Sequence, residues 1–400
     1  MRIKNLTSIV AVALTFTAAG ARAQLLDSIL PDSIPGYGAP FGVTGVSHPR
    51  CPEVTGFQLG GLTLIPQLEL SQGYDSAPNG SSGSALFSAA PSLLVTDPIL
   101  GFGAFAAGNV TRLPQNNAQN TSGGAVAFGE RAVLPRETIT IAAAYLHTQE
   151  TGFALDTIAI SRPIPFTMQN IHASDEISLG MFTVKPELSA TRYNFPNLSA
   201  QDRTDTREGL TTAYLPGGPV QWVLRLRATQ SNYSETIFNA GTNQALVGLV
   251  DTANGLWTFS ALAGVAQRQP RNGAALTAPV LEAGLDWMPG DLDRLRLTIA
   301  HEIDDPDEVS ATPYTLTQAK LTLAHEYLND IVLKFAAQAA DASYIHSPLR
   351  ETLYTSDANI SWQLSARLAL NGDYTFNDRQ ANYLRAANEH IITLGVTWTP

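Results

Sequence analysis

Leu62-Thr63-Leu64-Ile65-Pro66-Gln67-Leu68-Glu69-Leu70-Ser71 decides the fold. Successive side chains of a strand point to opposite sides, so Leu62, Leu64, Pro66, Leu68 and Leu70 share one face while Thr63, Gln67, Glu69 and Ser71 share the other. A period of two held over ten residues has no helical counterpart. Outward from it the same texture returns. Leu224, Leu226 and Ala228 alternate with Arg225, Arg227 and Thr229, and Leu295, Leu297 and Ile299 with Arg294, Arg296 and Thr298. Leu321 and Leu323 then alternate with Lys320 and Thr322, Leu333 and Phe335 with Lys334, and Leu368, Leu370 and Tyr374 with Arg367, Asn371 and Asp373. Ile392, Leu394, Val396 and Trp398 against Thr393 and Thr397 close the chain. The chain is therefore expected to be all-β.

Connection lengths alternate as well. Tight turns stand at Asp97-Pro98, Leu134-Pro135-Arg136, Gly180-Met181, Pro216-Gly217-Gly218, Asn254-Gly255, Pro289-Gly290-Asp291, Asn329-Asp330 and Leu364-Ser365-Ala366. Longer polar connections lie around 76–83, 114–123, 150–165, 196–206, 231–242, 268–273, 304–312, 344–350 and 377–386. Eight tight turns and nine long loops join eighteen strands. Short turns at one end and long loops at the other mark a transmembrane barrel. Lipid offers no water to backbone N–H and C=O groups, so a sheet crossing it must close without a free edge. The expectation is a closed antiparallel transmembrane β-barrel of about 18 strands over residues 57–400. A soluble β-sandwich or propeller is the alternative, but its strands are usually about 5 or 6 residues long, shorter than these segments.

Composition agrees. Charged residues are 15% of the chain against about 25% in soluble globular chains, and 44% are apolar, which excludes a disordered tail and a coiled coil. The net charge of −11 excludes nucleic acid as a partner. One cysteine, Cys51, excludes a disulfide framework. Arg2 and Lys4, the apolar run from Ser8 to Gly20 and Ala21-Arg22-Ala23 give residues 1–23 the form of a cleaved signal peptide. Removing it takes away three positive charges and leaves about −14. Residues 24–56, rich in Pro, Gly and Ser, are expected to form a flexible periplasmic segment.

All five tryptophans, Trp222, Trp257, Trp287, Trp362 and Trp398, lie close to a tight turn or the C-terminus, as a girdle at one membrane interface requires. Tyr74, Tyr145, Tyr193, Tyr233, Tyr314, Tyr344 and Tyr383, near the long loops, would mark the opposite girdle. On the inward face the alternation places Lys185, Arg225, Arg227, Arg294, Arg296, Lys320, Lys334 and Arg367, with Glu69, Glu187, Glu302, Glu326, Asp373 and Glu389 as counter-charges. These either form an eyelet that attracts a small anionic solute or pair across strands on a wet wall. Asp304, Asp305, Asp307 and Glu308 make an acidic loop without the spacing of a calcium loop, so no metal site is expected. No cofactor motif is present. G-x-S-x-G and H-E-x-x-H are absent, and His301-Glu302 and His325-Glu326 lack a second histidine at the needed position, so no enzyme is expected. An outer-membrane hydrolase stays open only because triads are defined by geometry.

Gly60-Gly61-Leu62-Thr63-Leu64-Ile65-Pro66, Glu69 and Tyr74-Asp75-Ser76-Ala77-Pro78 resemble the opening of the putative beta-barrel porin 2 family. Arg162-Pro163-Ile164-Pro165 and the closing strand from Thr393 to Thr399 fit the same resemblance. It implies an outer-membrane channel of a Gram-negative bacterium for passive passage of solutes, linked in some relatives to exopolysaccharide export, with no catalytic residues. The lipid and lipopolysaccharide of that membrane and the barrel-assembly machinery are its implied partners, the latter reading a last strand that ends Val396-Thr397-Trp398-Thr399-Pro400. The other reading is a plugged structural or adhesive barrel.

Overall fold

The computed structural model describes residues 25–26, 29–37, 56–97, 99–155, 162–251, 256–304, 313–328, 330–383 and 385–400. The expected signal peptide, Cys51 and the acidic residues Asp305, Asp307 and Glu308 lie outside the described residues.

The strands are β1 (Phe57–Leu59), β2 (Leu62–Asp75), β3 (Ser84–Asp97), β4 (Phe102–Arg112), β5 (Thr121–Val133), β6 (Glu137–Glu150) and β7 (Ile164–Leu179). They continue as β8 (Phe182–Asn194), β9 (Arg203–Tyr214), β10 (Val220–Tyr233), β11 (Ala240–Asp251), β12 (Trp257–Pro270) and β13 (Leu276–Gly290). The last six are β14 (Asp293–Asp304), β15 (Tyr314–Leu328), β16 (Ile331–Tyr344), β17 (Arg350–Ser365), β18 (Leu368–Ala381) and β19 (Ala387–Trp398). From β2 onward each pairs antiparallel with the next, and β19 returns to β2 with Ile391 opposite Asp75 and Trp398 opposite Leu68. The result is a closed antiparallel barrel of 18 strands. β1 adds only a short hairpin to the start of β2, Leu59 opposite Leu62.

The alternation read in the sequence sorts the two faces. Outward positions carry large apolar groups bare of protein cover, such as Ile171 at 62% and Leu394 at 66% exposure. Such a belt cannot face water on this scale, so the barrel is transmembrane. Tight connections, for example Gly180-Met181 between β7 and β8, all fall at the end where β2 starts and β19 finishes. The long connections fall at the other end. All five tryptophans take outward positions at the tight-turn end, and Trp257 stands opposite Trp287.

Among the described residues two segments enter the interior. Residues 29–37, placed by composition in a flexible lead-in, instead pack on the inner wall: Ile29, Leu30, Ile34 and Tyr37 join Phe105, Ala127, Ala142, Leu146 and Met168 in one buried cluster. Gly103 and Gly129 permit it, because a Cβ on Gly129 would sit 2.0 Å from the Pro35 carbonyl oxygen. The turn from β6 also folds inward and buries Phe153 and Leu155 against Leu316, Ala342 and Leu353.

The tyrosine girdle holds only for Tyr74 and Tyr145, which face outward. Tyr193, Tyr233, Tyr314 and Tyr344 point into the barrel, as the register places them beside inward Arg203, Ser231 and Ala342. Their hydroxyls find partners there that acyl chains lack, for example Tyr314 donating to Asp304 at 3.3 Å.

Candidate functional site: the barrel lumen

Inward parity runs consistently around the ring, and it fixes where each charged side chain goes. Lys185 and Glu187 of β8 point inward and pair with each other at 2.7 Å. Arg225 and Arg227 of β10 both bond Glu282 of β13, reaching over β11 and β12, where small Gly264 and Ala266 leave room. Arg294 and Arg296 of β14 share Asp286 of β13, each through an Nη2–Oδ2 contact of 2.6 Å. Lys320 of β15 and Lys334 of β16 point inward from positions opposite Thr298 and Ala324. Asp373 of β18 accepts from Asn359 at 2.6 Å and from Thr393 at 3.3 Å. Arg367 is different: it lies in the exposed turn between β17 and β18, because the strand begins one residue later than the alternation implies.

The arginine clusters belong to a larger arginine-rich wall. Arg203 and Arg207 of β9 and Arg268 of β12 also point inward and line, with Arg227 and the carboxylates Asp205, Glu282, Glu302 and Asp304, a cavity of about 420 Å³ that Tyr37 of the inserted segment borders. Arg203 stacks its guanidinium over the rings of Tyr193 and Tyr233, 4.9 and 5.6 Å from their centres. Alternation in Arg203-Thr204-Asp205-Thr206-Arg207 signalled these residues, but the polar composition up to Thr206 had assigned the stretch to a loop.

Half a turn around the ring the wall is acidic. Glu69 and Asp75 of β2, Asp357 of β17, Asp373 of β18 and Glu389 of β19 all point inward. Among the described residues no group of three His, Cys, Asp or Glu is close enough to hold a metal ion.

At the long-loop end, the inward turn after β6 is clasped from two sides. The Gly152 N–H donates to Asn79 Oδ1 at 2.6 Å, and its carbonyl accepts from Arg379 Nη1 of β18. Arg379 also pairs with Glu351 of β17, a side chain with no exposure, which accepts from the Tyr383 hydroxyl at 3.0 Å. Burial first, and then the Glu351 carboxylate, push the Tyr383 hydroxyl up to about 12, so it remains a donor. His301 and His325 face outward, bonded to Thr317 at 2.8 Å and Asp293 at 2.7 Å, away from the lumen.

Comparison with curated proteins returns no match. Among solved structures, Pseudomonas aeruginosa OccK2 (OpdF) is similar at 13% identity and a TM-score of 0.45, covering 86% of this chain and 98% of its own. OccK1 (OpdK) of the same organism shows 10% identity and a TM-score of 0.45, covering 84% and 99%. OpdQ, also of Pseudomonas aeruginosa, shows 11% identity and a TM-score of 0.44, covering 84% and 98%. Residues 241–399, nine of the barrel strands from β11 to β19, match the model of the family described as putative beta-barrel porin 2, which the sequence resembles.

Proposed function

We propose that the protein is a porin-like channel in the outer membrane of a Gram-negative bacterium, through which small solutes pass passively. The observation that carries this is the wetness of the inner wall. Lys185, although turned inward, keeps 37% of its side chain exposed, and Arg225 and Arg227 keep about a quarter of theirs. A plugged structural barrel would cover these groups. Among the described residues the filling is local, residues 29–37 on one side and Phe153 with Leu155 on another.

The basic wall supports a preference for small anionic solutes. Glu282 and Asp286 each serve two arginines, so paired guanidinium groups are presented to the lumen on β10 and β14. A polymer such as an exopolysaccharide, the cargo implied by the family resemblance, requires the inserted segments to move aside; small solutes do not. The lipid-facing belt meets outer-membrane lipid, the long loops meet lipopolysaccharide, and the strand ending at Trp398 is offered to the barrel-assembly machinery.

Single-channel recording in planar bilayers tests the reading. Discrete conductance steps are expected, with an anion-favouring reversal potential under a salt gradient. Arg225→Ala combined with Arg296→Ala should move that potential toward zero. Absence of steps overturns the channel, and an unchanged potential in the double variant overturns the role of the arginines.

A further inference from the structure

We infer that the lumen holds, on the wall facing the arginines, a binding site for a small organic ammonium compound, with Asp75 and Glu389 as its anionic side and Phe153 as its apolar side. It rests on the channel reading only in that the cavity must be reached from water.

These residues line one cavity of about 160 Å³, bounded by β2, β3, β4, β17 and β19 and closed on one side by the inward turn that carries Phe153. Among the described residues no Lys, Arg or His lines it. Arg379 of β18 stands beside it but is committed to Glu351 and the Gly152 carbonyl. Asp75 and Glu389 lie side by side on the cavity wall, Glu389 two positions along the same face from Ile391, the register partner of Asp75. Two carboxylates in contact repel when both are ionised, and a bound cation relieves that repulsion.

Two further side chains indicate what the cation must bring. Asn109 of β4 and Thr355 of β17 are 5% and 6% exposed and line the same cavity, yet Asn109 Oδ1 and Thr355 Oγ1 find no hydrogen-bond partner among the described residues. Buried oxygens of this kind call for a donor. Asp75 and Glu389 have only part of their acceptor capacity used, by the Ala77 N–H at 3.0 Å and by Asn377 Nδ2 at 3.0 Å. The carboxylates are too dispersed to chelate one metal ion among the described residues. Glu69 and Asp75 stand six positions apart on β2, which is about 20 Å along a strand. A cation that fits must therefore carry its own bulk, several N–H donors and a hydrocarbon portion to lie against Phe153, Leu86 and Ile391. An alkylammonium meets all three demands.

The probe is 1,4-diaminobutane, titrated calorimetrically into the full-length protein in detergent. Saturable binding is expected, with no heat from the neutral 1,4-butanediol. Glu389→Gln and Asp75→Asn should each weaken binding at least tenfold, while outward His301→Ala leaves it unchanged. Should a carboxylate variant fail to fold, as judged by heat-dependent gel migration, Thr355→Val keeps every carboxylate and is expected to weaken binding about threefold. Equal heat from the diol, no heat from the diamine, or wild-type affinity in the folded variants overturns the proposal. Binding without conductance would remove the channel and keep the site. Conductance without binding would do the reverse.

Discussion

Replacing Arg379 by alanine should be among the most damaging single changes in the barrel, and the reason lies in what it leaves behind. Glu351 has no exposed side-chain surface, so its carboxylate would remain buried with the Tyr383 hydroxyl as its remaining named partner. Removing one member of a buried ion pair costs about 3–5 kcal/mol, because the other charge stays desolvated. The Gly152 carbonyl also loses its donor, at about 1 kcal/mol for an ordinary hydrogen bond. Asn79→Ala gives the smaller effect, since it strips the bond from the Gly152 N–H on that turn and the one to Gln119 and puts alanine at a positive φ of 48°. Urea unfolding in lipid vesicles, followed by tryptophan fluorescence, should show Arg379→Ala losing about 3–5 kcal/mol and Asn79→Ala about 1–2 kcal/mol. Arg379→Met with Glu351→Leu should recover most of the loss, since removing both charges removes the desolvation problem. If Arg379→Ala costs under about 1 kcal/mol, or the apolar pair is no better than the single variant, the ion pair is not what holds this corner. Arg379→Ala and Asn79→Ala should also raise single-channel conductance, as each loosens the turn that carries Phe153 into the lumen.

Three other outcomes follow from the same geometry. Gly129→Leu places a side chain where the Pro35 carbonyl oxygen lies 2.0 Å from a Cβ, so residues 29–37 should leave the wall while the barrel still folds; conductance and protease cleavage of the N-terminal segment should both rise. Glu282→Gln leaves Arg225 and Arg227 without their shared carboxylate, and the reversal potential should shift further toward the anion. Tyr383, pushed up to about 12 from its ordinary 10.0, holds its proton in the folded barrel where the unfolded chain has lost it. Its contribution is complete below pH 10 and vanishes as pH rises through 12, and Tyr383→Phe should remove that alkaline loss in urea titrations at graded pH.

Strand number, connection lengths and wall orientation were legible because lipid imposes them locally: each position must be apolar outside and free of that demand inside. Arg225 and Arg296 announce their facing through their immediate neighbours alone. Nothing comparable governs the lumen, where distant segments meet and no period is required. Ile34 and Tyr37 sit in a Pro- and Gly-rich stretch whose composition reads as flexible, yet the glycines at 103 and 129 that make room for it are some seventy to ninety residues away. Arg367 failed for a local reason, since alternation extended one residue into a turn assigns a facing to a residue that has left the sheet. The tyrosines failed because interface and lumen rim lie at the same height, and proximity to a long loop cannot separate them. Parity can: even-numbered Tyr74 on β2 and odd-numbered Tyr193 on β8 fall on opposite sides once the neighbouring Asp75 and Arg192 are followed around the ring. Charge segregation emerges only from that step. The sequence distributes acidic and basic residues along its whole length, and closure of the ring by β19 on β2 is what gathers Glu69, Asp75 and Glu389 on one wall and sets the arginines of β9, β10, β12 and β14 across from them.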